Sequence, residues 1–503
     1  MACVLSHYLQ IVAWLALFVH VSWCKKVSPE NTIVYGPAFN VDVVVPLRYF
    51  YIQAVDTKGR NYTFSPGKDT FQFKFLGRVR GFRDMHDRED GSFLVRFPLT
   101  ESYKDLRMEI THNGKHVKGS PFTFKGMTYH EKCYCPIRNR KRFLNTYSCP
   151  TSYPQLEEDF KPFQTVNLTQ LRTKAKNFGT IVHYTIKNNK VYRQKIGETT
   201  DLTEFIDEWF LSLARKVILP NVEFLFNLGD WPKQFNPTDD PPIIAMCSSQ
   251  ESYDIVIPTY EMTTRSLNDM VRDTNTVSNV QGHSGPEWGR KTPKAFFRGR
   301  DSHKGRITLL EIAKKRPELF DVGITRFSFY KNEEKNHEKV QRVSFLEHFK
   351  YKYQVSIDGT VAAYRFPFLL AGGSLVFKQD SGYYEHFYKE LQPWVHYVPV
   401  KNDLSDLVEM IEWAKKNDKE AKKIAKAGQL YARDNLMSDK LYCYTLAVFQ
   451  EYAKRQLSEP VVGRDMEHQA QPDDNSARCE CERKKKKKTK KADKDAKTVK
   501  EEL

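Results

Sequence analysis

The hydrophobic pattern changes character twice along the chain. From residue 28 to about 128, short runs rich in β-branched and aromatic residues recur between Gly, Pro and Asn: VDVVVPLRYFYIQAVD, DTFQFKFLG, DGSFLVRFPL and LRMEITHNGKHVKGSPFTFKG. Strands spaced in this way predict a β-sandwich, and Asn113-Gly114 between alternating flanks marks a hairpin. With no cluster of nucleophiles or metal ligands in it, this module reads as a binding or spacing unit. A cysteine-bearing connector follows at 129–154. Beyond it, apolar positions recur at helical spacing in LTEFIDEWFLSLARKV, HKGRITLLEIAKKRPELF and DLSDLVEMIEWAKKNDKEAKKIAKAG. Strands are expected between these helices at VEFLFNL, YDIVIP, KAFFRG, YQVSI, GSLVFK and HYVPV. That alternation predicts an α/β region over 155–458 with parallel sheets covered on both faces. Its length exceeds one doubly wound sheet, so two lobes with a cleft between them are expected.

The ends point to a compartment. LSHYLQIVAWLALFVHVSWC is an apolar run of signal-peptide length before Lys25-Lys26, so residues 1–24 are expected to be a cleaved secretory signal, with a short membrane anchor as the alternative. No later stretch is apolar enough to span a bilayer. The last residues, Lys500-Glu501-Glu502-Leu503, are a one-residue variant of the Lys-Asp-Glu-Leu address read by a retrieval receptor. Together the ends predict the endoplasmic reticulum lumen. Sequons at Asn61-Tyr62-Thr63 and Asn167-Leu168-Thr169 make Asn61 and Asn167 candidate glycosylation sites. Of nine cysteines, Cys3 and Cys24 leave with the signal. In an oxidising lumen the remaining odd number reads as disulfides plus at least one free thiol, not as metal ligands.

The net charge of +17 suggests nucleic acid until it is located. Residues 483–503 supply +7 of it without one aromatic side chain to stack on a base. The stretch 459–503 is therefore expected to be a disordered basic tail presenting the terminal signal, and no nucleic-acid partner is expected.

Candidate chemistry gathers at three places. In NVEFLFNLGDWP, Gly229 and the pre-proline Trp231 end a buried strand and leave Asp230 in a loop at its carboxyl edge, where ligands sit in open α/β sheets. The residue type also suits a carboxylate that caps a turn or the next helix. In KAFFRGRDSHKGRITLLEIAKK, a strand ends at Arg298-Gly299-Arg300, Asp301-Ser302 can cap, and a helix begins near Lys304, gathering Arg298, Arg300 and Arg306 at a helix N-terminus. In VSIDGTVAAYRFPFLLAGGSLVFK, Gly359 permits close approach of a ligand to backbone, Ala362 and Ala363 leave room, and Arg365 follows. Arginines at two strand-to-helix turns favour an anionic, diphosphate-like ligand. The chain lacks GxxxxGK[ST], GxGxxG, GxSxG and HExxH patterns. Its one Asp-x-Asp spacing, Asp493-Lys494-Asp495, falls in the tail, so no metal site and no bound cofactor are expected. A kinase-type phosphotransferase is disfavoured on the same grounds.

The strings NLGDWP, AFFRGRDS, IDGTVAAYRFPFLLAGGSLVFK and YYEHFYKELQPWVHYVPVK, with GKHVKGSPFTF upstream and KEEL at the end, resemble the protein O-glucosyltransferases that modify serines of EGF-like repeats. The resemblance spans residues 28–503 and is to the group with a filamin-type, immunoglobulin-like N-terminal domain and a KDEL-type tail. HYTI and VYRQKIGETTDL lean toward one of that group's two close members. The resemblance implies a GT-B architecture, UDP-glucose as donor and inverting transfer to EGF-like repeats of Notch-like and fibrillin-like proteins. Asp230 falls on the family's catalytic base. Arg298, Gly299, Arg306 and Arg365 fall near the UDP diphosphate, with Gly359, Thr360, Val361, Ala362, Ala363 and Tyr364 lining it. Arg300 is a weaker match, because one family branch has a small residue there. In that branch a Trp-Pro-rich segment replaces SNVQGHSGPEWGR, so a different acceptor groove is expected from residues 278–290. Donor choice between UDP-glucose and UDP-xylose stays open. The rival reading is a catalytically silent, chaperone-like binding protein for EGF-repeat proteins.

Overall fold

A computed structural model describes residues 26–196, 202–268 and 276–472, together with Cys479 and Cys481. The expected signal peptide, the lysine-rich stretch and the terminal retrieval address lie outside the described residues. No helix among the described residues is long and apolar enough to cross a membrane.

The N-terminal module is an antiparallel sandwich. Strands β1 (Ile33–Tyr35), β2 (Leu47–Gln53), β4 (Asp84–Asp87) and β5 (Ser92–Pro98) form one sheet in the order β1-β2-β5-β4. Strands β3 (Gln72–Phe75), β6 (Tyr103–His112), β7 (Lys115–His116) and β8 (Phe122–Thr128) form the other. Asn113 and Gly114 join β6 to β7 with φ of 49° and 75°, the left-handed pair that a tight hairpin needs. Phe50, Ile52, Phe93, Val95 and Phe97 meet Phe71, Phe75, Met108 and Ile110 between the sheets.

The remainder holds two sheets. The first contains β9 (Ile181–Lys187), β10 (Lys190–Ile196), β11 (Val222–Asn227), β12 (Ile243–Ala245), β14 (Ile255–Val256) and β21 (Glu467–Gln469), in the order β14-β12-β11-β9-β10-β21. The second contains β15 (Thr292–Arg300), β16 (Phe320–Arg326), β17 (Tyr351–Ser356), β18 (Leu375–Gln379) and β20 (Val398–Val400), in the order β16-β15-β17-β18-β20. A short ladder of β13 (Ser248–Ser249) on β19 (Tyr383–Tyr384) ties the two lobes. The second sheet is wholly parallel, as expected. The first is mixed: Asn188 and Asn189, at φ 52° and 62°, turn β9 straight back into an antiparallel β10. Helices α1 (Leu202–Lys216), α2 (Tyr260–Leu267), α3 (Val277–Gly282), α4 (Lys304–Lys315), α5 (Phe366–Ala371), α6 (Asp418–Asn435) and α7 (Ser438–Arg455) cover these sheets. The last one returns to the first lobe, where Tyr442 stacks on Trp209 of α1 at 4.2 Å.

The sandwich packs into the rest of the chain: its Val43, Val45, Tyr49, Tyr51 and Leu94 belong to one continuous core with Tyr147, Tyr184, Trp209 and Tyr442, and Tyr49 Oη donates to buried Asp439 at 2.6 Å. One expectation needs correction. The tail does not leave the fold at residue 459. Lys187 Nζ donates to the Pro460 carbonyl at 2.7 Å, β21 extends the first sheet beside β10, and disulfides Cys133–Cys479 and Cys135–Cys481 staple the chain to the connector. The third disulfide is Cys149–Cys443, and Cys247 is a buried free thiol.

Candidate functional site

Asp230 stands where an apolar strand must stop. All six residues of β11 are buried, and its last, Asn227, uses its whole amide to shape the following turn. Its Oδ1 accepts from the Gly229 N–H at 3.0 Å and the Thr180 hydroxyl at 3.2 Å, while Nδ2 donates to the Trp231 carbonyl at 2.7 Å. Just beyond, the fully buried Asp254 carboxylate accepts from the N–H groups of Lys233 and Gln234 at 3.0 Å. Braced from both sides, the turn presents Asp230 to a cavity of about 480 Å³ between the lobes. Surrounding protein raises the Asp230 carboxyl above its ordinary range, and the charge of Arg300 pulls it back. A carboxylate so placed is a better proton acceptor than a fully hydrated one.

The opposite wall is built at the carboxyl ends of β15 and β17. Arg298, Gly299, Arg300, Arg306 and every residue from Gly359 to Arg365 line the cavity, so all the donor-side candidates and Asp230 meet in one place. Their side chains do different things. Arg306 is buried without a carboxylate partner: Nε donates to the Asp358 carbonyl (2.8 Å), Nη1 to the Arg300 carbonyl (3.0 Å) and Ser302 Oγ (2.7 Å), and Nη2 to the Ile357 carbonyl (3.1 Å). It therefore ties the two strand ends together, and burial pulls it down to about 9. Arg298 lies over the Phe296 ring and donates to Asp321. Arg365 packs over Phe297 and donates from Nη1 to the Arg298 carbonyl at 2.5 Å, with burial pulling it down to about 10. Both glycines are there for approach: a Cβ on Gly299 would meet Phe297 Cζ at 2.9 Å and Arg365 Nη2 at 3.1 Å, and one on Gly359 would meet Arg306 Nη2 at 3.2 Å. Val361 and Ala362 rest on buried Cys247.

The expected cap changes hands. His303 caps α4, its Nδ1 accepting from the Gly305 N–H at 3.1 Å. Asp301, fully buried, instead accepts from the N–H groups of Ser328, Phe329 and Tyr330 at 2.6–2.9 Å. The sequence reading also missed Tyr260, Glu261 and Arg265 of α2, and Thr325, Arg342, Phe345 and His348, which complete the walls. Helical spacing in YEMTTRSL was the available signal for the first three, but no periodicity shows which face meets a cleft. Residues 278–290 are absent from the walls of this cavity, and Ser278, Asn279 and Gln281 bond to arginines of the sandwich. Asn61 and Asn167 are both exposed, and Asn167 also caps the helix Leu168–Lys174.

The charge of Arg300 acting on Asp230 makes a signed prediction. If Asp230 serves as a base it must be deprotonated, and activity should then rise with pH as its raised carboxyl ionises. Because Arg300 lowers that value, Arg300→Ala should move the acidic limb of a kcat/KM–pH profile to higher pH. An unmoved or downward-shifted limb would show that Asp230 does not feel this guanidinium.

Glycosyl transferase family 90 matches residues 145–501, and the filamin/ABP280 repeat matches residues 26–123. The chain belongs to glycosyl transferase family 90. The Homo sapiens protein named protein O-glucosyltransferase 3 is 48% identical over 90% of this chain and 93% of its own length. Protein O-glucosyltransferase 2 of Danio rerio is 46% identical over 90% of this chain and 93% of its own. Near-equal identities do not separate the second member from the third, toward which HYTI and VYRQKIGETTDL lean. A solved structure of Anabaena Alr3699/HepE in complex with UDP-glucose aligns with 42% of this family 90 chain and 64% of its own, at 10% identity. Its TM-score of 0.27 is too low to carry a conclusion.

Proposed function

We propose that this family 90 member transfers glucose from UDP-glucose to a serine hydroxyl of folded EGF-like repeats in the endoplasmic reticulum lumen. What supports the reading is one juxtaposition: a carboxylate raised by its surroundings faces, across a cavity between two lobes, a wall of arginines and glycine-permitted backbone. The two α/β lobes, with a last helix returning to the first, suit a GT-B architecture. In the proposed single displacement, Asp230 takes the serine proton as the serine oxygen attacks C1. The C1–O bond to UDP breaks, its electron pair leaves on the diphosphate, and inversion at C1 follows. Arg365 and Arg298, on a framework held by Arg306, offset the charge that grows there. The notional partners, Notch-like and fibrillin-like EGF-like repeats and the receptor for Lys500-Glu501-Glu502-Leu503, belong to this proposal.

Mass spectrometry of a folded EGF-like repeat incubated with the protein and UDP-glucose tests the reaction. A single hexose on serine is expected, and no mass change with UDP-glucose or UDP-xylose would favour a silent binding protein. The wall of arginines also predicts that transfer proceeds without a divalent cation. Rates should be unchanged in excess EDTA. Loss of transfer that manganese restores would overturn the metal-free mechanism.

A further inference from the structure

We propose that Arg88 of the filamin-type sandwich is a positioning residue for the donor site, acting through Gln281 and helix α5. The inference rests on the donor-site reading above. Arg88 is 3% exposed and lies between β4 and β5. Its Nη1 is held by Ser92 Oγ at 3.0 Å and by Asp90 at 3.6 Å, and its Nη2 donates to Gln281 Oε1 at 2.6 Å, across the boundary between the sandwich and the transferase region. Gln281, at 0% exposure, spends its Nε2 on two carbonyls: Ala371 at 3.1 Å and Gln429 at 2.9 Å.

Ala371 is the last residue of α5, and the residue that precedes α5 is Arg365. The six-residue helix is therefore gripped at its C-terminal end by a side chain that the sandwich holds, while its N-terminal end carries a guanidinium of the donor cavity. A helix this short has few backbone hydrogen bonds of its own to set its position. Its last carbonyls need partners from outside, and Gln281 is one of them. Gly282 lets the segment approach this closely, since a Cβ there would lie 2.7 Å from His86 Cδ2 of the sandwich. The same boundary is strengthened by Arg96, which pairs with Asp84 at 2.7 Å and donates to Asn279 at 3.1 Å. These contacts explain why residues 278–290 pack away from the cavity yet still bear on it. They tie the sandwich to the wall that carries Arg365.

The test compares four variants of the full chain: Arg88→Ala, Gln281→Ala, the double mutant of the two and, as a control at the same domain boundary, Tyr49→Phe, which removes the bond to Asp439 on α7. UDP affinity is read by calorimetry, and the hydrogen exchange of the α5 amides by mass spectrometry, each beside the melting temperature. Arg88→Ala and Gln281→Ala should each weaken UDP binding by about 3- to 20-fold and speed α5 exchange. Their double mutant should do little more than either alone, because they break one chain of contacts. Tyr49→Phe should lower the melting temperature while leaving UDP affinity and α5 exchange unchanged. The proposal falls if α5 exchange is unaltered in both single relay variants, or if these and Tyr49→Phe all change it in step with their melting temperatures. Failure of the unaltered protein to bind UDP would instead defeat the donor-site reading, while the exchange data would still judge the relay.

Discussion

Asp230→Asn should lower the rate of transfer by about 10²- to 10⁴-fold, the range that a positioned general base contributes. Asn keeps the shape of the carboxylate and can accept a hydrogen bond, but it cannot take the proton of the serine hydroxyl. The turn should survive the change, because it is held by Asn227 and Asp254 and not by Asp230 itself. Burial raises the Asp230 carboxyl, so near neutral pH the ionised form is held at some cost, and its replacement should leave the melting temperature unchanged or higher. UDP binding should be intact, because none of the arginines that line the cavity is hydrogen-bonded to Asp230 or held in place by it. The measurement is kcat for hexose transfer beside UDP affinity and melting temperature. Turnover within a few-fold of the unaltered protein would remove Asp230 from the role of base. A parallel loss of UDP affinity would make it a structural residue instead.

The parts of this site that were legible in the sequence share a physical cause. Asp230, Arg298 and Arg365 each lie at or just beyond the end of a strand or turn that is written locally by Gly, Pro or a change of hydrophobic period, and strand ends are where α/β sheets collect ligands. The hairpin of β9 and β10 was also written locally, in a run of alternating residues around Asn188-Asn189, yet alternating helices and strands argued for a parallel sheet and obscured it. What stayed hidden depends on packing between distant segments. No local pattern places Glu261 and Arg265 of α2 against Arg365, gives Asp301 to the loop at Ser328–Tyr330 instead of to a helix, or turns the charges of Arg88 and Arg96 inward. The packing of the sandwich against the transferase stayed hidden for the same reason. Its strands read correctly, but Tyr49, Tyr51 and Leu94 show no more in sequence than the alternation expected of any strand, whereas they fill a core shared with the transferase.

Arg365→Ala should weaken UDP binding by about 10- to 100-fold, the loss expected for one charge-assisted hydrogen bond in a partly buried site. The argument starts from what the guanidinium already does. Nη1 is committed to the Arg298 carbonyl and the plane rests over Phe297, so the group is held rigidly and little rotamer freedom remains to be lost when an anion binds. Burial lowers it to about 10, still far above neutral pH, so it remains a cation without a directly bonded carboxylate, and an arriving diphosphate meets a charge that is already desolvated. Lys keeps the charge but presents its donors from a single nitrogen, without the planar fork that lets Nη1 hold the Arg298 carbonyl while Nη2 meets an anion, so Arg365→Lys should recover only part of the affinity. Met tests the packing alone, since it covers Phe297 without charge, and Arg365→Met should bind UDP as poorly as Arg365→Ala. Uridine separates the two ends of the ligand. If Arg365 meets the diphosphate, its removal should leave uridine binding unchanged while UDP binding falls. Equal losses for uridine and UDP would place Arg365 at the base or in the scaffold, and unchanged UDP affinity in all three variants would take it out of the donor site.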